Sequence, residues 1–178
     1  MSVDLSTLID SLKRETAQPG QELTQFPGAS DDSWLGYLQD AFWEARLDGL
    51  LADYTEDSNG IVTPMGGGGA DMTRDLQQIV VLYASFTIVR NTLRNLRTLY
   101  RAQAGTVHYE YQQSANLLVE LMKDLSRRRD MILSRLSDLG TVPSYYIDAV
   151  MARDQNMRDG LVWFVDSSHA PFAPYMPL

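Results

Sequence analysis

The chain has no cysteine among its 178 residues and only two histidines, His108 and His169. The first absence excludes disulfides and thiol chemistry, which fits a reducing cytoplasm or a particle assembled in one. The second removes most routes to catalysis. Neither histidine stands in H-E-x-x-H or E-x-x-H spacing, so a helical zinc or di-iron site lacks its ligands. No G-x-S-x-G is present to place a nucleophilic serine. The glycine run Gly66–Gly69 continues into Ala70-Asp71. A phosphate loop needs Gly-Lys-Ser/Thr there, and an aspartate repels phosphate, so the run reads as a mobile loop. The adjacent carboxylates Asp31-Asp32 read as helix-start charges. No enzymatic activity, metal or cofactor is expected. Long apolar runs are missing too. The longest uncharged helical stretch, Leu76 to Val89, has 14 residues, short of the ~20 that span a bilayer, and reads as a buried core helix. Met1 to Lys13 carries Asp4 and Asp10 and no apolar run, so no signal peptide and no membrane partner are expected.

What is present is globular. Apolar residues make up 44% and charged residues 21%, enough for one domain with a real core. The net charge of -8 repels nucleic acid as a whole, but the charge is unevenly placed. Residues 1–60 hold 3 basic and 12 acidic side chains, a net of -9. Residues 74–109 hold five arginines against Asp75, a net of +4. An acidic front and a basic middle suggest pairing, within one chain or between copies.

The periodicity predicts a mainly α fold: a helical bundle built on two long antiparallel helices, with a small β-hairpin and an extended C-terminal tail. Residues 1–29 read as an N-terminal helix and linker. Leu5, Leu8, Ile9 and Leu12 share one side, Asp4 or Ser6 is the cap, and Pro19-Gly20 and Pro27-Gly28 mark turns. Residues 30–160 read as the helical domain, with a hairpin and loop inserted at about 53–72. Its first helix runs from the N-cap Ser30 to about Ala52, burying Trp34, Leu38, Ala41 and Ala45, with Leu35 and Phe42 widening the face. Asn59-Gly60 suggests a type I′ hairpin tip.

The strongest element begins near Thr73. Ile79, Leu82, Phe86, Val89, Leu93, Leu96 and Tyr100 recur at spacings of 3 and 4, and Gly105 is the expected stop, giving a helix about 48 Å long. A second long helix covers Tyr111 to Leu139, its seam formed by Leu118, Leu121, Leu125, Ile132, Leu136 and Leu139, with Gly140 ending it. Tyr146, Ile147, Val150 and Met151 suggest a short helix closed by Gly160, and Leu161 to Val165 a strand.

Two features suggest contact with partners. Arg90, Arg94, Arg97 and Arg101, spaced 4, 3, 4, form one stripe about 100° from the seam. Three readings stand: a solvated face with ion pairs in the same chain, pairing with the acidic region of a neighbouring copy around Asp31 and Asp32, or contact with nucleic-acid phosphate. Residues 161–178 form the second feature, an extended docking tail. Trp163, Phe164, Phe172 and Tyr175 are aromatic anchors, and Pro171, Pro174 and Pro177 stiffen the chain. Such a tail docks on its own domain or on a partner. Arg127-Arg128-Arg129 spans most of a helical circumference and reads as solvated or at an edge.

Phe26-Pro-Gly-Ala-Ser-Asp-Asp32 followed by Ala41-Phe-Trp-Glu-Ala-Arg-Leu-Asp-Gly49 resembles the opening of head-to-tail adaptor (connector) proteins of long-tailed phages of actinobacteria. Arg74-Asp-Leu-Gln-Gln78 with Leu82-Tyr83 is similar to their first long helix. Ala104-Gly105, Tyr109-Glu110 and Gln113-Ser-Ala-Asn-Leu-Leu118 look like the turn and second helix, and Tyr146-Ile-Asp-Ala-Val150 is a further match. The likeness covers residues 26–150, and the order and spacing of these motifs carry it. It implies a virion protein of the phage neck, assembled in the bacterial host cytoplasm. Such a protein forms a ring, usually of twelve copies, beneath the portal protein, and offers a platform to the next neck protein, the stopper. Genomic DNA passes through its lumen without sequence-specific binding, and an acidic lumen suits that passage. The other reading is a cellular helical adaptor or regulator that binds a single protein partner.

Overall fold

The computed structural model describes residues 2–16, 31–66, 71–102, 108–140, 147 and 150–152. Helix accounts for 73% of them, so the fold is mainly α with a small antiparallel sheet. Strand β1 (Val3–Asp4) leads through a 3-10 turn at Leu5–Leu8 into helix α1 (Ile9–Thr16). Helix α2 is Asp31–Leu47, followed by the hairpin β2 (Tyr54–Glu56) and β3 (Ile61–Pro64). Two long helices complete the described chain, α3 (Arg74–Ala102) and α4 (His108–Asp138).

The N-terminus departs from the expected plain helix. Asp4 does cap the first turn, its Oδ1 accepting from the Ser6 amide at 2.8 Å. The two residues before that turn pair with β3 instead of extending it: Val3 faces Val62 and Asp4 faces Ile61. The sheet order is therefore β1-β3-β2, with both edges of β3 occupied. The hairpin tip also departs from expectation. Asn59 has no positive φ; the left-handed residue is Gly60, at φ 81°. The Gly60 amide donates to the Asp57 carbonyl, and the Asp57 amide to the Ile61 carbonyl, both at 3.1 Å. Asp57 Oδ1 accepts from the Asn59 and Ile61 amides, each at 2.9 Å. That aspartate selects a longer turn with a left-handed glycine bulge over the two-residue type I′ turn.

Helix α2 stops at Leu47, earlier than Ala52, because Gly49 (φ 81°) ends it. Its expected inward face is right: Trp34, Leu38, Ala41, Phe42 and Ala45 are buried and Leu35 is partly so. Helix α3 opens on Thr73, whose Oγ1 accepts from the Leu76 amide at 3.4 Å, and is buried nearly all round from Leu76 to Val89. It is the central helix. Leu5, Leu8 and Leu12 share one core with α2, the first half of α3, Leu133, Leu136, Ile147 and Val150. The N-terminal helix is thus part of the same packed body as α2, α3 and α4.

A second apolar cluster joins Leu82 and Val89 to Leu118, Met122 and Leu125, with Phe86, Leu93, Leu121 and Ile132 partly buried against it. Asp75, at the start of α3, meets Arg135, near the end of α4, at 3.3 Å. The early residues of one helix therefore lie beside the late residues of the other, and the pair is antiparallel. The α4 seam keeps Leu118, Leu125 and Leu136 of the expected one, with Leu121 and Ile132 partly buried beside it, and adds Met122, Arg129 and Leu133. Leu118, Met122, Leu125, Arg129, Leu133 and Leu136 are buried, whereas Leu139 is 67% exposed because it lies past the helix end, in the turn closed by Gly140 (φ 65°). The side chains of Leu96 and Tyr100, and Ser30, Gly67–Gly69, Gly105, Tyr146 and Gly160, lie outside the described residues.

Candidate interaction surfaces

The basic stripe rides on the outer half of α3. Among the described side chains of this helix beyond Ile88, Val89 is buried and Leu93 partly so, both in the cluster shared with α4. The stripe therefore sits on the two-helix hairpin, past the region where α1 and α2 pack. Arg90 and Arg94 are exposed. Arg90 has no hydrogen-bond or ion-pair partner among the described residues. Arg97 and Arg101 continue the stripe by position on α3; their side chains lie outside the described residues, as do those of Asp31 and Asp32 in the first turn of α2. Trp163, Phe164, Phe172, Tyr175, His169 and the whole of 161–178 also lie outside them.

The triple-arginine run is corrected at one position: Arg127 is exposed and Arg128 lies half-buried at an edge, as expected, whereas Arg129 is buried. Arg128 bridges Glu15 of α1 at 2.6 Å and Asp124 at 3.2 Å, tying α1 to α4. Arg129 is buried, with its guanidinium 3.0 Å from Asp130 and 5.8 Å from the Tyr83 ring centroid. The missed signal is phase. Arg129 falls four residues after Leu125 and four before Leu133, on the seam itself, so two of the three arginines are structural. Nearby, the Tyr83 hydroxyl donates to Asp48 Oδ2 at 2.7 Å, pinning the turn after α2 to α3. Burial and the carboxylates of Asp53 and Asp71 push the Tyr54 phenol above its ordinary pKa of 10.0.

An exposed apolar patch that is not among the expected contact surfaces lies on α2 and in the turn just after β3. Leu47 is 86% exposed, Met65 51% and Trp43 42%. Trp43 is held firmly. Its Nε1 donates to Glu56 Oε2 at 2.8 Å, the Arg46 guanidinium stands 4.9 Å from its ring centroid, and Phe42 meets it edge-on at 5.7 Å. Glu56 also accepts from Gln39 Nε2 at 2.6 Å. Sequence spacing alone could have found the exposure, because Trp43 and Leu47 fall opposite the Leu38–Ala45 face.

Among the described residues, no group of three His, Cys, Asp or Glu side chains is placed to hold a metal. No described helix is long and apolar enough to cross a membrane. Compared with known protein families, curated proteins and solved structures, the chain has no match.

Proposed function

We propose that this chain is a structural virion protein, a head-to-tail adaptor whose copies form a ring beneath the portal. In this reading the ring has twelve copies, joins capsid to tail, extends the DNA channel and seats the stopper. The observation that carries the reading is the separation of charge on a rigid frame. The basic stripe lies on a two-helix extension, and the acidic residues lie on the α2 and hairpin flank of the body. A contact between two different faces repeats from copy to copy and closes into a ring when its rotation closes. The resemblance over residues 26–150 supports the same reading.

The test reverses Arg94 and Arg97 to Glu. Purified portal-bearing capsids should recruit the wild-type chain and not the variant, while the variant's helical circular dichroism is unchanged. Recruitment of the variant at wild-type level would reduce the stripe to ordinary solvated surface. The exposed Trp43 patch also suits the second reading, an adaptor for a single cellular partner. The mass of the complex formed with portal separates the two, since one reading requires many copies and the other one.

A further inference from the structure

Gly36, Asp40, Trp43 and Leu47 follow one another at spacings of 4, 3 and 4 along α2, so they form one stripe on one side of the helix. Among the described residues, nothing outside the adjoining turns of α2 lies within 4 Å of where a Cβ on Gly36 would stand. Glycine there lowers helix propensity, and no contact among the described residues requires it. What it leaves is a shallow gap in line with two exposed apolar side chains. Asp40 is exposed, with no hydrogen-bond or ion-pair partner among the described residues. Along the sequence, residues 37–66, which include Asp40, Trp43 and Leu47, carry six acidic side chains and one basic, Arg46.

The outer half of α3 is its complement. Arg90, Arg94, Arg97 and Arg101 repeat the same 4, 3, 4 spacing, and residues 90–102 contain no acidic side chain. We infer that the α2 stripe is the seat for α3 of a second copy of this chain, with that copy's Arg90 and Arg94 lying across Trp43 and Leu47. The inference rests on the ring reading and names the two faces that meet.

The chemistry matches on three counts. The gap at Gly36 lets a second helix approach closely. Long arginine stems cover apolar side chains while their guanidinium groups reach carboxylates at the rim, such as Asp40. Trp43 already holds one guanidinium over its ring, that of Arg46, and its anchoring by Glu56 means that little rotamer freedom is lost on docking. Because the two faces differ, the contact runs head to tail and does not pair a face with itself.

The absence of native cysteine allows a direct test. Leu47→Cys and Arg90→Cys are made in separate copies of the full chain, mixed, and treated with a short bismaleimide. The mixed product should dominate over either self-linked product and disappear at high salt, because the pairing is largely charged. Gly36→Gln, which fills the gap with a good helix former, should abolish the mixed product while melting at or above the wild-type temperature.

A dominant Leu47→Cys self-linked product would mean a two-fold contact and overturn the inference. So would an undiminished mixed product with Gly36→Gln, or the absence of a mixed product when both cysteine variants are bound to portal-bearing capsids. If the wild type sediments as an oligomer yet no mixed product forms, these faces are wrong and self-assembly stands. Recruitment of the wild type to portal-bearing capsids, measured separately, decides the ring itself.

Discussion

Leu133→Ala is the sharpest test of how α4 packs. Leu133 is fully buried in the core that joins α1, α2 and the first half of α3, and Leu139, six residues on, is not. The substitution removes three carbons. At about 0.8 kcal/mol for each buried methylene, the transfer loss is about 2.4 kcal/mol. The cavity left behind adds to this, because Leu133 is enclosed by elements that are tied to one another and collapse only in part. A loss of about 3 kcal/mol is expected. For a chain of this size that lowers the melting temperature by roughly 6–12 °C, and it should appear as a lower urea midpoint at unchanged slope. Leu139→Ala is the control and should cost under about 0.5 kcal/mol. Leu93, half-buried against the outer cluster, should fall between, at about 1–2 kcal/mol. Equal losses at Leu133 and Leu139, or a larger loss at Leu139, would refute the packing phase described above.

Gly60→Ala should cost about 2 kcal/mol by chemical denaturation. A left-handed φ of 81° is strained for alanine, and the new Cβ would meet Leu35 Cδ1 at 2.9 Å. A change below about 0.5 kcal/mol would contradict the bulged turn. The raised phenol of Tyr54 predicts a pH effect with a definite sign. Its folded pKa lies above the unfolded 10.0, so its contribution to stability is complete below pH 10 and declines as pH rises through the folded value. Tyr54→Phe should remove that part of the alkaline slope, and an unaltered slope would refute it. Deleting residues 166–178 should leave the melting temperature nearly unchanged while preventing recruitment to portal-bearing capsids. Ready unfolding of the truncated chain would instead make the tail part of the core.

The local signals determined the helices. Apolar residues at spacings of 3 and 4, capping side chains and glycine stops describe only the chain's own neighbourhood. From them α2, α3, α4 and the hairpin follow, with ends off by a few residues. The inward face of α2 was legible for the same reason, since Trp34, Leu38, Ala41, Phe42 and Ala45 make its widest apolar stripe. The charge asymmetry and the arginine stripe were equally plain, because both are properties of order along the chain.

What only the tertiary structure decided depends on partners distant in sequence. Val3 and Asp4 form a strand because β3 has a second free edge and the Gly60 carbonyl is placed to accept from the Leu5 amide at 2.9 Å. Two residues cannot announce that by periodicity. Arg129 is buried because the Tyr83 ring and Asp130 flank it there, although its side chain taken alone belongs in water. Spacing sets Gly36, Trp43 and Leu47 opposite the Leu38–Ala45 face, and packing established that the latter is the face the core fills. Periodicity shows that a helix has two apolar sides, and packing decides which one the molecule keeps for itself.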